Sequence, residues 1–264
     1  MVARVYWRLI LSQLRLALML AMQYRVEFIA NMFVGLFWLG ITLVPVVVLF
    51  DNRRTVAGWS WPDALLVLGF YNMLRGTLNV WVTPSLSRAL ARIQDGSLDF
   101  VLLRPIDAQF SVSTLAFLPL GVFDLAAGMA IVGYGLHLRN AAPSWSAVTS
   151  ALLVFSLGVV IVYSISLMFV AAAFTAVRAG SLFQLFNSVL DLARWPAALF
   201  RGVLALVFTF VVPLIIMTTY PALALLGGLG REQWLQAIAL TVAFVVISRI
   251  TWVMALRRYT SAGG

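Results

Sequence analysis

Polar and apolar positions divide the chain into long apolar runs separated by short polar interruptions. The clearest runs lie at 26–50, 64–84, 109–136, 147–177 and 234–256. Each is long enough to cross a hydrocarbon core, which takes about 20 helical residues. In lipid a helix satisfies its own backbone groups, so each run predicts a membrane-spanning helix. Pro119, Gly121 and Gly128 fall inside the third run, where neighbouring helices can satisfy the freed backbone groups. Ahead of the first run, Arg4, Arg8, Ser12 and Arg15 recur at steps of four, four and three, on one helical face. Tyr6, Trp7, Leu9, Ile10, Leu14, Ala17 and Leu18 cover much of the rest. Residues 1–25 therefore predict an amphipathic helix lying in the headgroup layer, arginines toward phosphates. A signal peptide fits poorly, because Arg15 interrupts the apolar stretch and no small-residue cleavage site follows.

The pattern is less decisive between 178 and 226. Gln184, Asn187, Ser188, Asp191, Arg194 and Arg201 share one helical face, with Leu182, Phe183, Leu185, Phe186, Val189, Leu190 and Leu192 on the other. A helix with one polar stripe is either interfacial or a span turned toward a wet pathway; both readings stay open. Residues 202–226 are apolar but carry Pro213 and Pro221, and read either as a span or as a segment that enters and returns on one side. The expected fold is all-α, with about six transmembrane helices.

Composition sharpens the class. The chain is 63% hydrophobic and 10% charged, with mean hydropathy +1.02, whereas soluble domains carry about 25% charged residues. There is no room for a sizeable soluble domain. The net charge is +9 and every basic residue is Arg. The arginines sit at the ends of apolar runs, so they read as topology signals and not as a nucleic-acid surface. With the N-terminus inside, the inner side holds Arg4, Arg8, Arg15, Arg25, Arg88, Arg92, Arg104, Arg178, Arg257 and Arg258, the outer side only Arg53, Arg54, Arg139 and Arg231. That bias predicts both termini, and the stretch 85–107, in the cytoplasm. The chain has no Cys, which excludes disulfides, thiolate metal sites and a cysteine nucleophile. With no Lys it cannot hold the Gly-x-x-x-x-Gly-Lys phosphate loop, so any ATP drive comes from another chain. No catalytic constellation is present, and His137, the single histidine, reads as a solvated side chain beside Arg139.

The longest well-marked polar interruption is 85–107, SLSRALARIQDGSLDFVLLRPID. It predicts a short amphipathic helix to Gln94, a break at Gly96 and a second short element ending at Pro105. It is either an ordinary turn or a surface that a soluble partner grips. Arg75 lies near the middle of the second run and Asp124 in the middle of the third. Each alone costs about 2.5 kcal/mol or more at a bilayer centre. Both lie about twelve residues from the outer end of their spans, so at about 1.5 Å per residue they share a depth and can pair. Such a pair either locks two helices or faces a substrate or partner.

Several short stretches together resemble the ABC-2 family of transporter permeases, in a six-span subgroup related to viologen and drug exporters. They are QYRVEF at 23–28, IQDGSLDFVLLRPID at 93–107, LDLARWPAALF at 190–200, TFVVPLIIMTTYPALALLG at 209–227 and LRRYTSAGG at 256–264. Gly96, Leu98, Leu103, Arg104 and Pro105 fit the family's Gly-x-Leu…Leu-(Arg/Lys)-Pro pattern, and Tyr259, Ser261 and Gly263 its Tyr-x-Ser-x-Gly tail.

The resemblance implies one ABC-2 type domain over 1–264, with a cytoplasmic tail at 257–264, in a bacterial inner membrane. It also implies a separate ATPase subunit that binds ATP and Mg, and a second homologous permease. Arg92, Ile93, Asp95, Gly96, Leu98, Asp99, Arg104 and Pro105 are then the expected ATPase-coupling residues. From the charges themselves, Arg75 and Asp124 are expected as a charge pair or as part of a pathway, and Gln184, Asn187, Asp191 and Arg194 as a polar stripe that either lies at the interface or lines that pathway. The expected activity is ATP-driven export of a small cationic or amphipathic substrate by alternating access. An ion-coupled secondary transporter using Arg75 and Asp124, or a membrane scaffold, is the competing reading.

Overall fold

The computed structural model of the chain describes residues 2–51, 55–56, 58–103, 105–140, 142–174, 179–200 and 202–258, and structural statements below concern these residues. Arg53, Arg54, Arg104, Arg178, Arg201, the side chain of Arg4 and the tail motif Tyr259, Ser261 and Gly263 lie outside them. The fold is all-α apart from a two-residue antiparallel hairpin, β1 (Thr55–Val56) and β2 (Trp59–Ser60). The helices are α1 (Val2–Gln23), α2 (Arg25–Asp51), α3 (Trp61–Thr77), α4 (Thr83–Gln94), α5 (Asp99–Leu102), α6 (Ala108–Ser113), α7 (Gly121–Leu138), α8 (Trp145–Ala172), α9 (Ala179–Leu190), α10 (Val203–Leu206), α11 (Tyr220–Leu225) and α12 (Arg231–Arg257).

Four of these, α2, α7, α8 and α12, are long and apolar enough to cross a membrane. A fifth arises if Val203–Val211 and Ile215–Leu225, which meet at 69°, form one broken span. The break falls at Pro213, whose ring cannot continue a helix. The apolar run expected as a span over 64–84 is divided: α3 ends at Thr77 and a π-helical turn, Leu78–Val82, follows before α4. The rod is nevertheless helical without a gap from Trp61 to Gln94. Its start is fixed locally: Ser60 Oγ accepts from Asp63 N, Ser60 N donates to Asp63 Oδ2 at 3.2 Å, and Pro62 sits in the first turn. Arg139, just past α7, pairs with the same Asp63, tying the start of α3 to the end of α7.

α3 and α7 run antiparallel with their backbones in contact, the most extensive helix pairing in the molecule. Gly69 and Gly76 on α3 face Gly128 and Gly121 on α7. A Cβ on Gly76 would lie 2.5 Å from Leu125 N, and one on Gly128 would lie 2.6 Å from Gly69 O. Lipid gives helices no hydrophobic drive to associate, so close backbone approach through small residues is what holds such a pair. On the other side of α3, α8 buries Val154, Gly158, Ile161, Ile165 and Val170 against α11, α12 and the π-helical segment Ile215–Thr219. A Cβ on Gly158 would meet Met217 Cα at 2.9 Å. α2 is the exception: Val46 is its only buried residue.

Two expectations change here. The third apolar run is not one helix from 109. α6 stops at Ser113, residues 114–120 are irregular and include Pro119, and α7 begins at Gly121. The proline lacks an N–H and clashes with the preceding turn; Leu118 N instead donates to Val80 O in the π turn, at 2.9 Å. Asp124 consequently lies in the first turn of α7, not at mid-span. The stripe after 182 is also interrupted. α9 ends at Leu190, and Asp191 and Arg194 belong to a tight 3-10 turn.

The glycine contact makes a direct stability prediction. Gly76→Ala and Gly128→Ala should each cost about 1–3 kcal/mol through overpacking, lowering the thermal midpoint in detergent. Gly40→Ala and Gly133→Ala, where a Cβ meets nothing within 4 Å, should leave it unchanged or raise it. Equal midpoints for all four variants would show that the α3–α7 contact does not limit stability.

Candidate functional site

The loop after α4 is short and ordered by its own backbone. Gly96 takes φ +75°, a left-handed conformation that favours glycine, and Leu98 N donates to Arg92 O across it. Ser97 N donates to Asp95 Oδ1 at 2.9 Å. The Ser97 hydrogen bonds hold the Asp95 carboxyl below its ordinary range.

The expected coupling residues then separate into two sets. Leu98 is buried and Ile93 packs against the core, with Val101 buried beside them; these anchor the loop. Arg92, Asp95, Gly96, Asp99 and Pro105 lie at or near the surface. Phe100 and Leu103, which periodicity hides inside the apolar string FVLL, point outward at 73% and 80% exposure.

The loop is fastened at its exit. Asp107 caps α6 by accepting from Phe110 N at 3.0 Å. Its carboxylate also accepts from Arg249 Nη2 on α12 at 2.9 Å, while Arg249 Nη1 donates to Gln109 Oε1 at 2.6 Å. Burial alone would push the Asp107 carboxyl up, but the Arg249 hydrogen bond and charge, with Phe110 N, bring it below the usual range. Its contribution is thus present at neutral pH and is lost only as pH falls through that depressed value. From α6 the contacts continue inward. Gln109 Nε2 donates to Tyr163 Oη at 3.2 Å, and Tyr163 Oη lies 2.7 Å from Ser113 Oγ. Trp81 Nε1, in the π turn, donates to Ser113 O, and its ring stacks on Tyr163 with centroids 5.7 Å apart. Tyr6 of α1 meets Phe110 edge to face at 4.5 Å. Arg249, inside the last apolar run, carried no sequence signal for this role beyond being a charge in the wrong place.

Arg75 and Asp124 do not pair. Arg75 Nη1 lies 3.0 Å from Asp191 Oδ1, which also accepts from Tyr71 Oη at 2.8 Å. Asp124 Oδ2 accepts from Asn79 Nδ2 at 3.1 Å. The two lie at a common level along the α3–α7 pair but on different faces. Gly76 faces α7, so Arg75, about 100° earlier on the helix, turns toward the 3-10 turn, and Asn79 takes the place beside Asp124.

In the stripe, Asp191 is the member that reaches α3. Gln184 is exposed, Asn187 Nδ2 donates to Phe183 O in its own helix, and Arg194 is partly buried with its Nε lacking a partner.

A cavity of about 820 Å³ lies between α2, the π turn and α7, with Asn31, Gly35, Trp38, Asn79, Phe123 and Asp124 among its walls. No group of three His, Asp or Glu side chains converges to hold a metal among the described residues.

The sequence profile of a family described as "ABC-2 family transporter protein" matches residues 36–263. The chain belongs to the ABC-2 family of transporter proteins. No curated protein and no solved structure matches it. The match places a transport permease without an ATPase site of its own over α3–α12 and most of α2, and so includes the loop, its α6 clamp and most of the cavity.

The ion pair in this ABC-2 permease can be measured by a double-mutant cycle. Arg75→Met and Asp191→Asn should each lower stability by leaving a charge unpaired, and the double variant should recover part of the loss, with a coupling of about 0.5–3 kcal/mol. The Arg75→Met/Asp124→Asn cycle should be additive to within about 0.5 kcal/mol. Coupling in the second cycle and none in the first would reverse the assignment.

Proposed function

We propose that the chain is the membrane subunit of an ABC exporter in a bacterial inner membrane. A separate ATPase, which itself binds ATP and Mg, docks on the 85–107 loop and drives alternating access at an interface with a second, homologous permease. In this reading α3 with its π turn and the broken pair at Pro213 complete six spans. α1 lies in the headgroup layer, and both termini and the loop face the cytoplasm. The substrate is small and cationic or amphipathic.

The observation that carries the docking assignment is the loop surface. Two large apolar side chains, Phe100 and Leu103, stand in the open on a rigid loop flanked by Arg92, Asp95 and Asp99. An exposed apolar knob with a charged rim is the form of a protein contact whose centre is dehydrated and whose edge sets specificity. The loop is anchored from beneath by Leu98 and Val101 and held at its exit by Arg249, so a force applied to the knob reaches the bundle.

Orientation is tested by accessibility, against a native chain that has no Cys. A cysteine at Gln94 should resist an impermeant thiol reagent in intact cells, while one at Thr55 should react. Labelling at Gln94 from outside would invert the topology.

Docking is tested in reconstituted complexes. Phe100→Ser, Leu103→Asp, Gly96→Val and Asp99→Arg should leave membrane insertion near normal, because all four lie outside the bundle. They should weaken ATPase co-purification or leave ATP hydrolysis unresponsive to substrate. Wild-type binding and coupling in all four would remove the loop from the mechanism.

A further inference from the structure

α2 covers α7 thinly. Opposite Asp124 it presents Gly35, where an added Cβ would still lie 3.9 Å from Asp124 Oδ1. The two carboxylate oxygens therefore have different surroundings: Oδ2 accepts from Asn79, while Oδ1 faces Gly35 across the cavity. No Arg comes within 4 Å of Asp124 among the described residues. The cavity walls contain no basic residue, although the chain has 18. Their polar members besides Asp124 are neutral: Asn31, Asn79, Thr83 and Ser87. The remaining lining is apolar and includes the rings of Trp38 and Phe123.

We propose that this cavity is a binding site for an organic cation carried on an apolar body, with Asp124 as counter-ion. A carboxylate in apolar surroundings is costly unless a positive charge meets it. A cation supplies that charge, and the rings add attraction to its face. The neutral amides orient the head, and the apolar walls take the body. An anion of the same shape meets the carboxylate with nothing to offset it. About 820 Å³ is within the range of sites that enclose a drug-sized molecule, about 300–1,000 Å³. Gly35 serves as the clearance that keeps Oδ1 open, and Asn79, held in the π turn, fixes the rotation of the carboxylate. This inference rests on reading the chain as a permease, and places its substrate, or a lipid that accompanies it, inside one subunit. The chemistry is common to a free lipophilic cation and to the amine headgroup of a membrane lipid.

The test is equilibrium binding of tetraphenylphosphonium to the full-length chain, with any ATPase that co-purifies, in nanodiscs of phosphatidylglycerol. Tetraphenylborate, the same shape with the opposite charge, is the control. Wild type should bind the cation at least about tenfold more tightly than the borate. Asp124→Asn should abolish that preference, and Asp124→Glu should restore most of it. Gly35→Leu, which fills the clearance at a helical position with room for a side chain, should weaken cation binding by a similar factor with the thermal midpoint unchanged; it keeps the test open if Asp124→Asn fails to fold. A second arm adds phosphatidylethanolamine. Loss of tetraphenylphosphonium binding there supports the site with lipid amine as its occupant, and undiminished binding supports it with a free cation.

Equal affinity for the two probes in wild type, or cation binding untouched by both Asp124→Asn and Gly35→Leu, would overturn the inference, including the case in which a second copy of the chain fills the cavity. Binding requires neither ATP nor an ATPase. A chain that co-purifies its ATPase but shows no charge preference refutes this site alone, and a chain that binds the cation but never an ATPase refutes the exporter reading alone.

Discussion

The close approach of α3 and α7 sets the positions of the other polar groups. With Gly76 against Gly121 and Gly69 against Gly128, the two backbones can neither slide nor rotate past one another without a clash. The rotation of α3 is thereby fixed, and with it the direction of each polar side chain on that helix. Tyr71 and Arg75, one turn apart, both reach Asp191; Asn79 reaches Asp124. The ion pair, the cavity wall and the orientation of the π turn follow from two pairs of glycines, none of which touches a charged group directly except through the helices they align.

The second constraint lies at the exit of the loop. α6 has only six residues, too short to be stable on packing of its own, yet four elements hold it. Arg249 fixes its first turn from α12, Tyr163 its inner face from α8, Trp81 its last turn from the π segment and Tyr6 its outer edge from α1. The entrance of the loop is simply the continuing rod of α3 and α4. A body held rigidly at entrance and exit cannot absorb a displacement locally. Under the proposed function, a displacement imposed on the loop would reach α3 and α12 together.

Much of this was legible in the sequence, and what was missed has a common cause. Apolar run length gave the membrane class and most helix positions, because the cost of unsatisfied backbone in lipid leaves few alternatives. The Gly96 break and the two short elements around it were readable because glycine and the capping residues act locally. The faces of the helices were not readable. Depth along a span can be counted at a fixed rise per residue, so Arg75 and Asp124 were placed level; rotation depends on which glycines meet, which no single strand of sequence displays. The break before α7 was hidden because Pro119 is compatible with a kinked span as well as with a true interruption. Phe100 and Leu103 were masked by their neighbours, since FVLL scores as apolar whether its members point in or out. Arg249 and Gln109 are far apart in the chain, and only the fold brings them together.

The π turn at Leu78–Val82 has a consequence for comparing this chain with its kin. A π-helical turn inside an α-helix accommodates one residue more than the helix would otherwise need, and here it does so without breaking the rod. Each residue of an α-helix advances the direction of all that follows by about 100°. Without that extra residue the same loop motif would be turned by about a quarter of a circle relative to α3. Loop residues can be equated by motif between chains with and without that residue, but their directions cannot be equated by counting from the membrane. The direction in which the loop faces is set at the π turn, not at the start of α3.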